Sequence, residues 1–271
     1  MPMITPLRTA LQSGKTAFGV WNTLPGAAAV RTMAGTPGIS WVLIDAEHGQ
    51  INDTHIFTHT TLVAAAHRSP IVRIPAAADW WIKRALDSGA HGIMVPLLKT
   101  ASEVRAVVSA SRYPPKGTRG FGPMYTHHAF GTGPEHQVCT AQEYREGADD
   151  VLVVVQIENR EAVENLEEIA SIDGLDVLFI GPFDLSLSLG VQFGSPEHES
   201  AISKVLEVAH KYGKKAAFYC TNGEQAKARA AQGFDMISIA TDVDVLSLGF
   251  AAHMASATGT NIGGSGSGYS T

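Results

Sequence analysis

Two acidic residues raise the first chemical question. Glu158 and Asp184 each follow a strongly apolar run, Val151–Ile157 and Val177–Gly181, and they stand 26 residues apart. That interval is one strand–helix repeat, so the two carboxylates top neighbouring strands. Paired hard oxygens in such a place suit Mg²⁺ or Mn²⁺ with positions left for water. Two helix N-caps, or one structural ion pair, would use the same residues. Asp45-Ala46-Glu47-His48 closes another apolar run. A histidine close to a carboxylate is a poised acid–base group, and a histidine packed at a strand–helix junction is the alternative. Arg73 closes a third run. It could stabilise a developing oxyanion or form a salt bridge in a barrel mouth. Gly181-Pro182 reads as a turn into a helix, where the amides of Phe183 and Asp184 could hold a carboxylate, or as an ordinary helix start. His55 and His59, four residues apart, read as a solvated helix face. His127-His128 reads as part of a surface loop.

These residues need elements to carry them. Apolar runs predict eight strands: Ala17–Trp21, Trp41–Asp45, Ile71–Ile74, Gly92–Val95, Val151–Ile157, Val177–Gly181, Ala216–Tyr219 and Met236–Ala240. The runs are mostly unbroken rather than alternating, as in strands buried on both faces of a parallel sheet. Amphipathic stretches separate most of them: Asp53–Ala66, Asp79–Ser88, Ser102–Ser111, Arg160–Ala170, Glu197–Tyr212, Glu224–Gln232 and Val243–Met254. Eight βα units in 271 residues match an α/β fold, a (β/α)8 TIM barrel forming one domain over residues 1–260. A doubly wound open sheet is the runner-up. Against it, no glycine-rich dinucleotide fingerprint follows the first strand, and no phosphate-loop motif occurs. Chemistry in a barrel sits at the C-terminal strand ends, where Asp45, His48, Arg73, Glu158 and Asp184 fall. The segment Tyr113–Tyr144 is long enough to be functional or mobile. Residues 261–271 read as a flexible Gly/Ser-rich tail.

Composition narrows the function classes. Hydrophobic residues make up 45% and charged residues 17%, enough apolar material for a core. The net charge of −6 disfavours nucleic acid or an anionic membrane as partner. The apolar runs are too short to span a bilayer, and the first fifteen residues lack a signal-peptide core. Two cysteines, Cys139 and Cys220, make neither a disulfide framework nor a cysteine zinc site. The reading is a soluble, cytoplasmic enzyme or metabolite binder.

Seven motifs in register then make the chain recognisable: Phe18-Gly19-Val20-Trp21; Leu43-Ile44-Asp45-Ala46-Glu47-His48-Gly49; Val72-Arg73; Gly92-Ile93-Met94-Val95-Pro96; Arg112-Tyr113-Pro114-Pro115-Lys116-Gly117-Thr118-Arg119-Gly120; Val155-Gln156-Ile157-Glu158; and Phe179-Ile180-Gly181-Pro182-Phe183-Asp184-Leu185-Ser186. The chain resembles the HpcH/HpaI aldolase/citrate lyase family, the metal-dependent class II pyruvate aldolases, from about Phe18 to about Ala255. The resemblance implies a carbon–carbon lyase that cleaves a 4-hydroxy-2-oxo acid to pyruvate and an aldehyde through a metal-stabilised pyruvate enolate. It implies Glu158 and Asp184 as ligands of a divalent ion (Mg²⁺, Mn²⁺ or Co²⁺) and His48, oriented by Asp45, as the acid–base residue. Arg73 would polarise the 2-oxo oxygen. Trp21, Gln156, Gly181, Phe183 and Asp184 would line the 2-oxo acid site. The family pattern also implies a homohexamer, a trimer of dimers. Departures lie at Phe121–His128, a segment that shapes the aldehyde side among relatives, and at Phe183, where many relatives have a small residue. Oxaloacetate decarboxylation, or a synthase reaction like that of macrophomate synthase, would use the same enolate, and a non-catalytic binding barrel would keep the fold alone.

Overall fold

Unbroken apolar strands must be covered on both faces, and a closed barrel ringed by helices does this without leaving an edge. The computed structural model describes residues 5–130 and 138–260. Eight parallel strands close in sequence order: β1 (Ala17–Asn22), β2 (Trp41–Asp45), β3 (Ser69–Arg73), β4 (Gly92–Val95), β5 (Leu152–Ile157), β6 (Val177–Ile180), β7 (Lys215–Tyr219) and β8 (Met236–Thr241). The helices are α1 (Pro6–Gln12), α2 (Ala27–Ala34), α3 (Asp53–Ala65), α4 (Asp79–Asp87), α5 (Ala101–Ala110), α6 (Ala141–Gly147), α7 (Arg160–Glu164), α8 (Leu166–Ala170), α9 (Pro182–Leu189), α10 (Pro196–Lys211), α11 (Gly223–Ala231) and α12 (Asp242–Thr258). The fold is the expected α/β TIM barrel. No described helix is long and apolar enough to cross a membrane.

Alternation along the strands sorts the side chains. Trp41, Leu43, Ile71, Met94, Leu152, Val154, Val177 and Phe179 share one buried cluster inside the barrel. Ile44, Val72, Ile93, Val153, Val155, Leu178 and Ile180 belong to another cluster, packed against the helices. Period-two geometry then carries Asp45, Arg73, Gln156 and Glu158 inward, each two residues beyond an inward neighbour. The register places Asp45 directly beside Arg73 and Gln156 beside Phe179. Inside β1, a Cβ on Gly19 would lie 2.2 Å from the Trp41 ring, so the glycine makes room for that indole.

The opposite end of the barrel is stoppered by α1, a helix the sequence reading did not expect. Its Leu7 and Leu11 join the interior cluster. Leu7 N–H donates to Ser69 Oγ at 2.9 Å, and Ser69 Oγ meets His91 Nδ1 at 3.0 Å. Two further helices, α2 and α6, were also unexpected, and the single helix expected at 160–170 is broken at Asn165 into α7 and α8.

The long Tyr113–Tyr144 segment is largely built in rather than loose. Arg119 is buried, donating to Tyr144 Oη at 3.0 Å and Asp87 Oδ1 at 2.7 Å, with its guanidinium 4.6 Å above the Tyr113 ring. Residues 131–137 of this segment, and the tail 261–271, lie outside the described residues. The reading of His55 and His59 as a solvated face needs correction for His59, which is fully buried. Its ring nitrogens meet Asn22 Oδ1 at 2.7 Å and Pro25 O at 3.2 Å.

Candidate active site

At the C-terminal mouth of the barrel lies a cavity of about 440 Å³. Its wall takes in Trp21, Asp45, His48, Arg73 and Gln156, together with Gly181, Phe183 and Asp184 at the end of β6 and the start of α9. Glu158 sits just behind this wall: a Cβ on Gly181 would lie 2.5 Å from Glu158 Oε2 and 3.3 Å from Gln156 Nε2. Eight of the nine residues singled out in the sequence therefore face one cavity, and the ninth backs it.

Asp45 is the hub. It accepts Arg73 Nε at 2.9 Å and Nη2 at 2.5 Å, a bidentate pair, and Trp21 Nε1 at 3.0 Å. It also accepts the backbone N–H groups of Glu47 and His48 at 3.0 and 3.2 Å. Burial alone would raise its pKa, but the Arg73 pair and these further donors outweigh it and hold the carboxyl below its ordinary value. Burial likewise opposes the Arg73 charge, yet Asp45, Glu47 and Glu158 together raise its pKa above the ordinary guanidinium value. The guanidinium lies 4.7 Å from the Trp21 ring centre and points Nη1 toward Gln156 Oε1 at 3.4 Å. It is a fixed cation of known direction at the cavity wall.

Asp45 meets His48 through the backbone N–H. The imidazole itself extends outward, its side chain 70% exposed, with Nε2 3.8 Å from Glu47 Oε1. Glu47 is the residue that sequence reasoning quoted but gave no role. Its Oε2 is buried, 3.1 Å from Arg73 Nη1, and makes no aligned hydrogen bond. Burial raises the Glu47 pKa, with Asp45 and Asp184 adding to the effect against Arg73 and His48. Glu158 accepts Leu97 N–H at 2.8 Å and Gln156 Nε2 at 2.6 Å. Burial nevertheless pushes its pKa up to about 7, helped by the negative charges of Asp184 and Glu47. Three carboxylates thus share one anionic corner.

Gly181 caps α9 with extended backbone and no side-chain hydrogen bond, and Pro182 occupies the first turn. The amides of Phe183 and Asp184 follow at the positive end of the helix dipole. Further round the mouth, Thr23, Tyr219, Thr241, Val243 and Asp244 complete the wall. None of these five was singled out in the sequence, although inward alternation from Ala217 reaches Tyr219. Residues Phe121–His128, expected on the aldehyde side, do not line the cavity; Tyr125 instead stacks edge-on against Phe57 at 5.4 Å.

The model of the HpcH/HpaI aldolase/citrate lyase family matches residues 18–247. The chain belongs to this family. It is 34% identical over 245 residues to the hydroxypyruvate/pyruvate aldolase of Rhizorhabdus wittichii, spanning 89% of this chain and 94% of the relative. It is 33% identical over 251 residues to the 4-hydroxy-2-oxo-heptane-1,7-dioate aldolase of Klebsiella pneumoniae, spanning 91% of each. Among solved structures, an HpcH/HpaI family protein from Burkholderia cenocepacia superposes with a TM-score of 0.84 at 29% identity, covering 94% of this chain and 100% of that one. The chain is accordingly an aldolase, a carbon–carbon lyase, and the cavity just described is where a barrel of this kind places its chemistry.

Proposed function

We propose that the enzyme binds a 2-oxo acid of the pyruvate type and reversibly cleaves 4-hydroxy-2-oxo acids to pyruvate and an aldehyde. The observation that carries this reading is the fixed Arg73 guanidinium, clamped by Asp45 and facing the cavity beside the start of α9 and the acidic corner. Such a set holds a carboxylate and an adjacent carbonyl oxygen at once. The α9 amides of Phe183 and Asp184 take the carboxylate. Arg73 faces the 2-oxo oxygen and stabilises the charge it gains as the C3–C4 bond breaks. His48, exposed at the rim, accepts the proton of the 4-hydroxyl. Glu47 Oε1, 3.8 Å from Nε2, keeps the imidazole near.

The residues present also fit a divalent cation. Glu158 and Asp184 offer hard oxygens, and the buried Glu47 Oε2 adds negative charge without an aligned donor. Among the described residues no three His, Cys, Asp or Glu side chains converge as a ready cage. Two protein carboxylates with the other positions left to water and substrate is the habit of Mg²⁺, and Mn²⁺ and Co²⁺ are tested beside it. Such an ion supplies Lewis acidity to the 2-oxo acid.

Assay of 4-hydroxy-2-oxo acids and oxaloacetate with each metal tests the reading. Release of pyruvate and aldehyde supports it. Turnover of oxaloacetate alone would move it to decarboxylation. We further propose a cytoplasmic homohexamer. The exposed Val245, Leu246, Phe250 and Met254 of α12 support burial against another copy, and light scattering should then give six times 28.7 kDa, about 172 kDa. Cys139 and Cys220, both free thiols, fit a reducing compartment.

A further inference from the structure

We infer that His59 is a positioning residue for the catalytic rim: held as its Nδ1–H tautomer, it clasps the β1–α2 loop against the turn that carries His48. This inference rests on the acid–base role given to His48 above. His59 lies on α3, the helix that follows that turn, and is fully buried. Its two ring nitrogens meet two oxygens, Asn22 Oδ1 at 2.7 Å and Pro25 O at 3.2 Å.

The neighbours fix the direction of each bond. Asn22 Nδ2 donates to Asp242 Oδ2 at 2.8 Å and to Leu24 O at 3.0 Å. Turning the amide over would set its oxygen against those two acceptors, so Oδ1 faces His59 and only accepts. The Pro25 carbonyl also only accepts. A neutral imidazole has one N–H for these two oxygens. Burial lowers the His59 pKa from its ordinary value of 6.5, with His55 on the same helix adding to this and the Pro25 carbonyl and Asp242 opposing it. Near neutral pH the ring therefore holds one proton. That proton belongs on Nδ1, where the contact is shorter and where Asn22, donating onward to a carboxylate, is the stronger acceptor.

The clasp acts on Thr23. Asp242, the first residue of α12, accepts Thr23 N–H at 2.9 Å, Thr23 Oγ1 at 2.6 Å and Leu24 N–H at 3.0 Å. Thr23 O in turn accepts Gln50 N–H at 2.9 Å. A Cβ on Gly49 would lie 3.1 Å from Thr23 Cα, so the two loops touch with no side chain between them. His48 immediately precedes this contact, and both His48 and Thr23 line the cavity. Loss of the Nδ1–H bond leaves the buried Asn22 Oδ1 without its donor and loosens the residue next to Thr23. Arg73, Phe183 and Asp184, which take the 2-oxo acid, stand on β3 and α9 and share none of these bonds. The clasp therefore governs the placement of His48 rather than the binding of the 2-oxo acid.

The first test is ¹⁵N-histidine NMR of the unmodified protein, with the His59 signal assigned by its loss in His59→Asn. It should show Nδ1 protonated and Nε2 bare at mildly alkaline pH, and the reverse pattern overturns the inference. The second is Mg²⁺-dependent turnover of a 4-hydroxy-2-oxo acid that the enzyme cleaves. His59→Leu should lower kcat about tenfold and leave KM within about twofold, as a misplaced reacting group does. His59→Asn keeps an N–H at the Nδ1 position and should recover most of that loss; His59→Gln carries it at the Nε2 position and should not. Unchanged kcat in folded His59→Leu, or equal rescue by both amides, overturns the inference. If His59→Leu does not fold, the tautomer and the contrast between the two amides decide. His48→Ala separates this failure from that of the reading beneath it. Loss of activity in His48→Ala with none in His59→Leu removes the clasp alone, and full activity in His48→Ala removes the role of His48 and the clasp with it.

Discussion

Replacing Gly181 with alanine should damage the acidic corner while sparing the fold. The backbone there, φ −90° and ψ 91°, is open to alanine without strain. The new Cβ, however, would stand 2.5 Å from Glu158 Oε2, about 0.9 Å inside ordinary contact at 3.4 Å. The flexible carboxylate gives way before the backbone does. In retreating it loses the 2.6 Å bond from Gln156 Nε2. One charge-assisted hydrogen bond is worth roughly 1.5–3 kcal/mol, and solvent or a new rotamer recovers part of it. The expected loss of stability is about 1–2 kcal/mol, a fall of roughly 3–6 °C in Tm for a domain of this size. The effect on a bound ion should be larger in proportion. Ligand distances tolerate about 0.2 Å, and misplaced supports typically cost ten- to a hundredfold in affinity. Calorimetric titration with Mn²⁺ in the presence of pyruvate, beside thermal melts in EDTA, reads both quantities. A folded Gly181→Ala protein with unchanged Mn²⁺ affinity would refute the placement of Glu158 in the ion site.

Other expectations follow from the same contacts. Asp45→Asn leaves the buried Arg73 charge without its bidentate partner, so stability should drop by about 3–5 kcal/mol and cleavage should fall with it; a melt within 2 °C of the unmodified protein would contradict the hub role. His91 is wholly buried, with its pKa lowered to about 4 from 6.5 by burial despite the bond to Ala129 O. The unfolded chain therefore binds the proton more readily between those values, and stability is lost as pH falls through that window. The loss from His91 between pH 7 and pH 5 should be about 2 kcal/mol, visible as a urea-midpoint shift that His91→Gln reduces. Leu7→Ala, in the helix that stoppers the barrel, should cost about 2–5 kcal/mol without changing KM for the 2-oxo acid, which denaturant melts and kinetics can separate.

Strand positions were legible because burial on both faces leaves an unmistakable run, as in Val151–Ile157. The residues of the candidate site were legible for the same reason, since a charged residue ending such a run has few structural uses, and the fold gathers them around one cavity. The helices α1 and α2 left weaker traces. The first is seven residues long, and the second, Ala27–Ala34, is eight residues long and half alanine. His59 was misread because period alone places it beside His55, whereas its burial depends on Asn22 and Pro25 from the end of β1 and the loop after it. Glu47 was quoted and passed over because its meaning is spatial: only the fold brings its carboxylate to both Arg73 and His48. The far wall of the cavity was missed because Thr23, Tyr219, Thr241 and Asp244 are individually ordinary and meet only when β8 closes onto β1.

The most direct measurement is proton-to-deuterium exchange at the pyruvate methyl group, followed by NMR in D₂O. The account predicts exchange with Mg²⁺ or Mn²⁺, its loss in EDTA, its return when the ion is restored, and its absence in a folded Glu158→Gln protein. Full-rate exchange in EDTA, or trapping of pyruvate on a lysine by borohydride, would contradict it.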